Sequence, residues 1–125
     1  MRKTFLRMEG NGIVYFRAYV AFLEVSPELV RGRANVYALR VQGTSMIDAL
    51  INDGDIVLME ASVAAAEGDM VAAWLRAEQE TTLKRFYHQG DQIRLQPANQ
   101  ELRPIYTPAD NVEVQGRVIG VLRRL

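Results

Sequence analysis

YALRVQGTSMIDALINDGDIVLM, residues 37–59, decides the fold. Tyr37, Leu39 and Val41 alternate with Ala38, Arg40 and Gln42, the period-two pattern of a strand with one face buried. After Gly43, the stretch from Ser45 to Ile51 has room for about two helical turns. Asn52-Asp53-Gly54-Asp55 is a tight turn, because Asn, Asp and Gly tolerate left-handed backbone. Ile56 to Met59 is an unbroken apolar run, which suits a strand covered on both faces. Strand, short helical turn, tight turn and buried strand follow within one stretch.

The same grammar extends outward. Ala64 to Asp69 is a turn, Met70 to Leu75 a buried strand, Arg76 to Glu80 a charged hairpin tip, and Thr81 to Tyr87 the returning strand. Gln89-Gly90-Asp91 turns into Ile93 and Leu95, which alternate with Arg94 and Gln96. Pro97 to Pro108 carries three of the four prolines and is expected to be an irregular loop. Val112 to Arg123 is a long final strand with Gly116 and Gly120 as bulge points. Its length and apolar character give it the look of an exposed edge, open to pairing with a second copy. Upstream, Ile13 to Glu24 favours strand, and Ser26-Pro27 is placed as N-cap and first residue of a short turn. Met1 to Met8, with Arg2, Lys3 and Arg7, is expected to be a solvated, charged terminus. The fold class is mostly β: a single compact domain of twisted antiparallel sheets or a partial barrel, with short helical turns.

Composition narrows the chemistry. A chain of 125 residues, 49 % hydrophobic and 24 % charged, builds one core and not two. Fifteen basic residues against fifteen acidic ones argue against a surface that tracks phosphates. No cysteine is present, which removes disulfides, thiolate catalysis and Cys-ligated metals. One histidine, His88 at a turn, leaves no Ser-His-Asp triad and no multi-His metal site. No metal or other cofactor is expected. No apolar stretch approaches the roughly 20 residues that span a bilayer, so no membrane partner is expected and the setting is cytoplasmic.

Two groups could carry chemistry. Ser45 stands at a strand-to-turn junction after Gly43, either as the cap of the short helix or as an exposed nucleophile with backbone N–H groups beside it. In the strand around Thr82-Leu83-Lys84-Arg85-Phe86, alternation puts Thr82, Lys84 and Phe86 on one face and Leu83, Arg85 and Tyr87 on the other. Lys84 is then either a solvent-facing edge residue or an inward, desolvated amine. An ordinary lysine, with a pKa of about 10.4, is neutral in well under one molecule in a thousand at pH 7. Burial lowers that value by several units and makes a general base of it. A serine without histidine can be activated by such an amine.

Val41 to Asp48, Gly54-Asp55, Gly68-Asp69 and Thr82-Leu83-Lys84-Arg85 together resemble the self-cleaving domain of LexA-type repressors and UmuD-type proteins, the S24 peptidases. The likeness continues through Leu95-Gln96-Pro97-Ala98-Asn99, Pro104-Ile105 and Val114 to Val121, and covers about Val25 to Arg123. The C-terminal stretch is nearer to LexA. The resemblance implies the LexA/signal-peptidase-like β fold and a Ser–Lys dyad. Ser45 would be the nucleophile and Lys84 the base. Thr82 would hydrogen-bond the amine, and backbone N–H groups around Thr44 and Ser45 would form the oxyanion hole. Gly54-Asp55 and Gly68-Asp69 serve as turns. Residues 1–24 would form the cleavage-loop-like segment and a strand, and residues 25–125 the peptidase and dimerisation domain.

In that family the domain cuts its own N-terminal loop, after Ala or Cys and before Gly. Spacing from Ser45 assigns the bond Glu9–Gly10. Glu9 departs from the pattern: an unpaired carboxylate in a dry pocket costs several kcal/mol, and paired with Lys84 it would hold the base protonated. A competent dyad with a poor substrate in cis is expected. The resemblance also implies a homodimer, here through the C-terminal strand, and a RecA–single-stranded-DNA filament as co-protease. DNA contact would come only through a helix-turn-helix domain absent from this chain. Two alternatives share the fold: a non-cleaving dimerisation module, and a UmuD-like accessory protein of a translesion polymerase.

Overall fold

The computed structural model describes the backbone of residues 3–8, 14–18 and 21–25, and residues 36–62 and 64–122 with their side chains. Ten strands among these residues form one open antiparallel sheet. They are β1 (Lys3–Met8), β2 (Val14–Ala18), β3 (Ala21–Val25), β4 (Val36–Arg40) and β5 (Ile56–Glu60). β6 (Met70–Leu75), β7 (Glu80–Gln89), β8 (Gln92–Gln96), β9 (Ile105–Pro108) and β10 (Val112–Leu122) complete it. Their order across the sheet is β3-β2-β1-β4-β5-β10-β6-β7-β8-β9. Among the described residues, no helix is long and apolar enough to cross a membrane.

The apolar run of β5 does what its composition demands. Ile56, Val57, Leu58 and Met59 are all buried, because the strand lies between β4 and β10 with core on both sides. One core cluster gathers Tyr37, Leu39, Val41, Met46, Ile51, Val57, Met59, Ala72 and Leu83. Another holds Val71, Ala73, Leu75, Phe86, Ile93, Leu95 and Val114. Alternate residues of β6 and β7 enter opposite clusters, so the middle of the sheet is covered on both faces. Each large apolar side chain so buried contributes about 1.5–3 kcal/mol.

β10 holds the two halves of the sheet together. Val112 to Arg117 pair with β6 and Arg117 to Leu122 pair with β5. The ladder slips between Val114 and Gly116 and again between Val118 and Gly120, at the two glycines expected to mark bulges. At Gly116 the reason is space. A Cβ there would lie 2.6 Å from the Tyr37 hydroxyl and 2.8 Å from the Glu60 carbonyl oxygen. That hydroxyl donates to the Gln115 carbonyl at 2.9 Å, and burial pushes its pKa up to about 12.

Four expectations need correction. β10 is not an edge strand: it sits inside the sheet, because its long apolar run is covered by β5 and β6, and only half of its length is paired on each side. The terminus with Lys3 and Arg7 is not an unpaired end; the backbone of β1 pairs with both β4 and β2, a long-range partnership that its short, charged pattern hides. Within Pro97 to Pro108, residues 105–108 form β9, the last strand of the sheet. Its outer side is where Pro108 loses nothing by lacking an N–H. The stretch from Ser45 to Ile51 winds only one 3-10 turn, Ile47–Ala49, ended by Leu50 in the left-handed region at φ 62°. The Ser26-Pro27 turn lies outside the described residues.

Gly116→Ala is therefore expected to destabilise the fold by about 1–3 kcal/mol, since neither Tyr37 nor the β5 backbone can retreat without loss. Urea unfolding at constant m-value is the measurement. An unchanged midpoint would mean the close approach is dispensable.

Candidate active site

Ser45 is placed by the connection between β4 and β5. The Val41 N–H donates to Asp55 O and the Gly54 N–H to Val41 O, both at 2.8 Å, so the two ends of the connection are laced together. Asp55, itself buried, accepts the Asn52 N–H at 2.8 Å and closes the turn. Gly43 takes φ 92° and donates its N–H to Asp53 Oδ1 at 2.7 Å. The chain then reverses, Met46 drops into the core, and Ser45 is left half-buried on the rim.

Lys84 comes from the middle of β7. It is only 8 % exposed, which makes it one of the few buried charged residues described. Its Nζ donates to Ser45 Oγ at 3.1 Å and makes a second, short hydrogen bond to Thr82 Oγ1. Alternation along β7 brings Thr82 to the same side as the amine. Burial lowers the amine's pKa from its ordinary 10.5, and the Glu80 carboxylate acts in the opposite direction. Loss of hydration dominates because a charged ammonium is the form that suffers from a dry wall.

These groups line a cleft of about 130 Å³ walled on its apolar side by Val41, Met46 and Leu83. That is room for about four water molecules, or a small side chain and the peptide bond beside it. The N–H groups of Thr44 and Ser45 donate to no group among the described residues, which leaves them open to an incoming oxygen. In chemical terms the cleft holds a hydroxyl and an amine whose pKa burial lowers, and the turn beside it carries the Thr44 and Ser45 N–H groups.

Of the sequence-based candidates, Ser45, Lys84 and Thr82 meet in one place, and Thr44 lies on the same turn. Glu9 and Gly10 lie outside the described residues. Asp69 accepts the Ala66 N–H at 2.9 Å and, like Asp55, belongs to a turn. His88 is exposed, and its backbone N–H donates to Glu67. Asp53, Asp48 and Asn99 received no role from sequence, yet Asp53 and Asn99 bind the stretch that carries Ser45, and Asp48, within that stretch, accepts the Gln100 N–H. Asn99 stood in the motif Pro97-Ala98-Asn99, a signal that spacing alone could not connect to Ser45.

The Peptidase S24-like family model matches residues 9–119. The chain is 57 % identical over 102 residues to the LexA repressor of Herpetosiphon aurantiacus, covering 79 % of this chain and 48 % of that protein. It is 58 % identical over 91 residues to the LexA repressor of a Roseiflexus species, covering 73 % of this chain and 42 % of the relative. Against the LexA repressor of Thermosipho africanus the identity is 39 % over 114 residues, covering 91 % and 57 %. The chain spans about half the length of these relatives.

Burial of Lys84 has a stability consequence whose sign is fixed. Because the folded-state pKa is lowered, the unfolded chain binds more protons between that pKa and 10.5, so stability rises with pH across this window. Below the window the folded state carries the full cost of a desolvated ammonium. Lys84→Met is therefore expected to raise the melting temperature at neutral pH, with the gain narrowing as the pH approaches about 10. Thermal melts across that range check it; a gain independent of pH would contradict a desolvated amine.

Proposed function

Because this chain belongs to the Peptidase S24-like family, we propose that it is the self-cleaving, dimerising domain of a LexA-type repressor, with Ser45 as nucleophile and Lys84 as general base. The observation that carries this reading is the 3.1 Å contact between Lys84 Nζ and Ser45 Oγ, made by an amine whose burial favours the neutral form.

The chemistry follows from that contact. A protonated amine donates to Oγ. Once neutral, it accepts the hydroxyl proton instead, and Oγ attacks the carbonyl carbon of the scissile peptide. The oxygen that becomes negative is met by the N–H groups of Thr44 and Ser45. The ammonium returns its proton to the leaving nitrogen, leaving an acyl-serine. Water, deprotonated by the same amine, then releases it. Thr82 accepts a hydrogen bond from the amine and fixes where its lone pair points. An alkaline rise in rate follows, tenfold per pH unit below the amine's pKa.

The proposed substrate is the Glu9–Gly10 bond, carried by residues 1–24, with residues 25–125 as the peptidase and dimerisation unit. Glu9 makes it a poor one. A second reading, a non-cleaving interaction module, is favoured by this residue alone. Dimerisation is assigned to the half of β10 from Val118 to Leu122: it pairs with β5 on one side, while its ladder with β6 ends at Arg117, and Val121 is exposed. Antiparallel pairing of two such half-edges would satisfy both. In keeping with the family, a RecA filament is the proposed stimulating partner, and DNA contact is assigned to a helix-turn-helix domain in the longer protein.

Alkaline incubation of the purified chain is expected to give slow scission at Glu9–Gly10, abolished by Ser45→Ala and by Lys84→Ala. Glu9→Ala should speed it at least about tenfold by removing the carboxylate from a dry pocket. No scission in the Glu9→Ala chain at any pH would leave only the interaction module. Sedimentation at micromolar concentration is expected to show a dimer that Val121→Arg converts to monomer; a wild-type monomer would contradict the assignment.

A further inference from the structure

The loop that follows β8 carries Pro97-Ala98-Asn99, and it lies directly against the Ser45 turn. The Asp48 N–H donates to Ala98 O at 2.6 Å, and the Gln100 N–H donates back to Asp48 Oδ2 at 2.9 Å. Between these two, Asn99 reaches further: its Nδ2 donates to the Thr44 carbonyl at 2.8 Å, across 55 positions of sequence. Its Oδ1 accepts the Glu101 N–H at 2.9 Å. The two partners fix the amide's orientation, since a backbone N–H can only donate and a carbonyl can only accept.

The position of that one bond matters more than its strength. A peptide unit is planar, so the Thr44 carbonyl and the Ser45 N–H point in opposite directions. Whatever holds the carbonyl therefore aims the N–H. The Ile47 N–H also donates to Thr44 O, at 3.2 Å, but it belongs to the same short turn and moves with it. Asn99 is the contact from outside the turn. Gly43 precedes this peptide by one residue, at φ 92°, where little steric restraint on the backbone is available locally.

We propose that Asn99 is a positioning residue of the site: by holding the Thr44 carbonyl it sets the direction of the Ser45 N–H, one of the two donors assigned to the developing oxyanion. This rests on the Ser–Lys reading above. It deepens that reading by giving the Pro97-Ala98-Asn99 motif a task in the chemistry and not only in the loop.

The test uses a fluorophosphonate, which reacts with an activated serine and needs no substrate in cis. Labelling of Ser45 in the full chain is followed against pH for the wild type, Asn99→Ala and Asn99→Asp, with Ser45→Ala and Lys84→Ala as controls. Asp keeps the acceptor for the Glu101 N–H and loses only the donor to Thr44. Both Asn99 variants are expected to label about 10- to 100-fold more slowly. The pH midpoint should stay at the wild-type value, because the contacts of Lys84 are untouched, and Asn99→Asp should melt near the wild-type temperature. Wild-type labelling rates in Asn99→Asp would overturn the inference. So would a shifted midpoint, which would place the effect on the amine, or unfolding of both variants, which would make Asn99 structural. If the wild type is not labelled at Ser45, or Lys84→Ala labels as fast, the Ser–Lys reading itself fails and takes this inference with it.

Discussion

An amine kept out of water beside a hydroxyl is the constraint on which the rest of the arrangement depends. Lys84 sits in the centre of β7 where both faces of the sheet are covered, so its side chain is largely withdrawn from solvent and meets Ser45 and Thr82. Leu83 next to it belongs to the core cluster that also holds Val41 and Met46. A strand with one wet face would have given the lysine an easy exit, and its amine would have kept its ordinary protonation. The burial that lowers the amine's pKa is also a standing cost to the fold, which the apolar clusters packed around the sheet offset.

Ser45 is held by the opposite strategy. Its turn has little regular structure, one 3-10 turn and two left-handed residues, Gly43 and Leu50. Order comes from outside: Asp53 on the Gly43 N–H, Met46 as an anchor in the core, and the loop after β8 on Thr44 and Asp48. The proposed nucleophile is thus positioned by loops fastened to the sheet, and the proposed base by the sheet itself. β10 makes this possible at long range. Its two bulges let one strand serve β5 and β6, so that the β4–β5 connection and β7 end up facing one cleft.

Much of this was legible in the order of residues, and the reason is local. Period-two alternation along Thr81 to Tyr87 put Thr82 and Lys84 on one side, Gly43 announced a reversal before Ser45, and Gly116 and Gly120 marked the bulges. What escaped was set by partners distant in sequence. The short, charged β1 is a strand only because β2 and β4 flank it. β9 hides among prolines whose missing N–H groups do no harm at the sheet's rim. β10 reads as an edge because apolar length alone cannot tell a strand awaiting a partner from one already between two. Asn99 could be recognised as part of a motif, but its target 55 positions away depends on how the loop after β8 folds back.

The most direct measurement is the ionisation of the Lys84 amine, followed by NMR through its Cε and Nζ resonances as pH is raised. The account predicts a midpoint below 10.5 that moves toward that value when Val41 or Met46 is replaced by a polar residue and water enters the cleft. Titration at the ordinary lysine value in the wild-type protein would contradict it, and would leave the hydroxyl of Ser45 without a base.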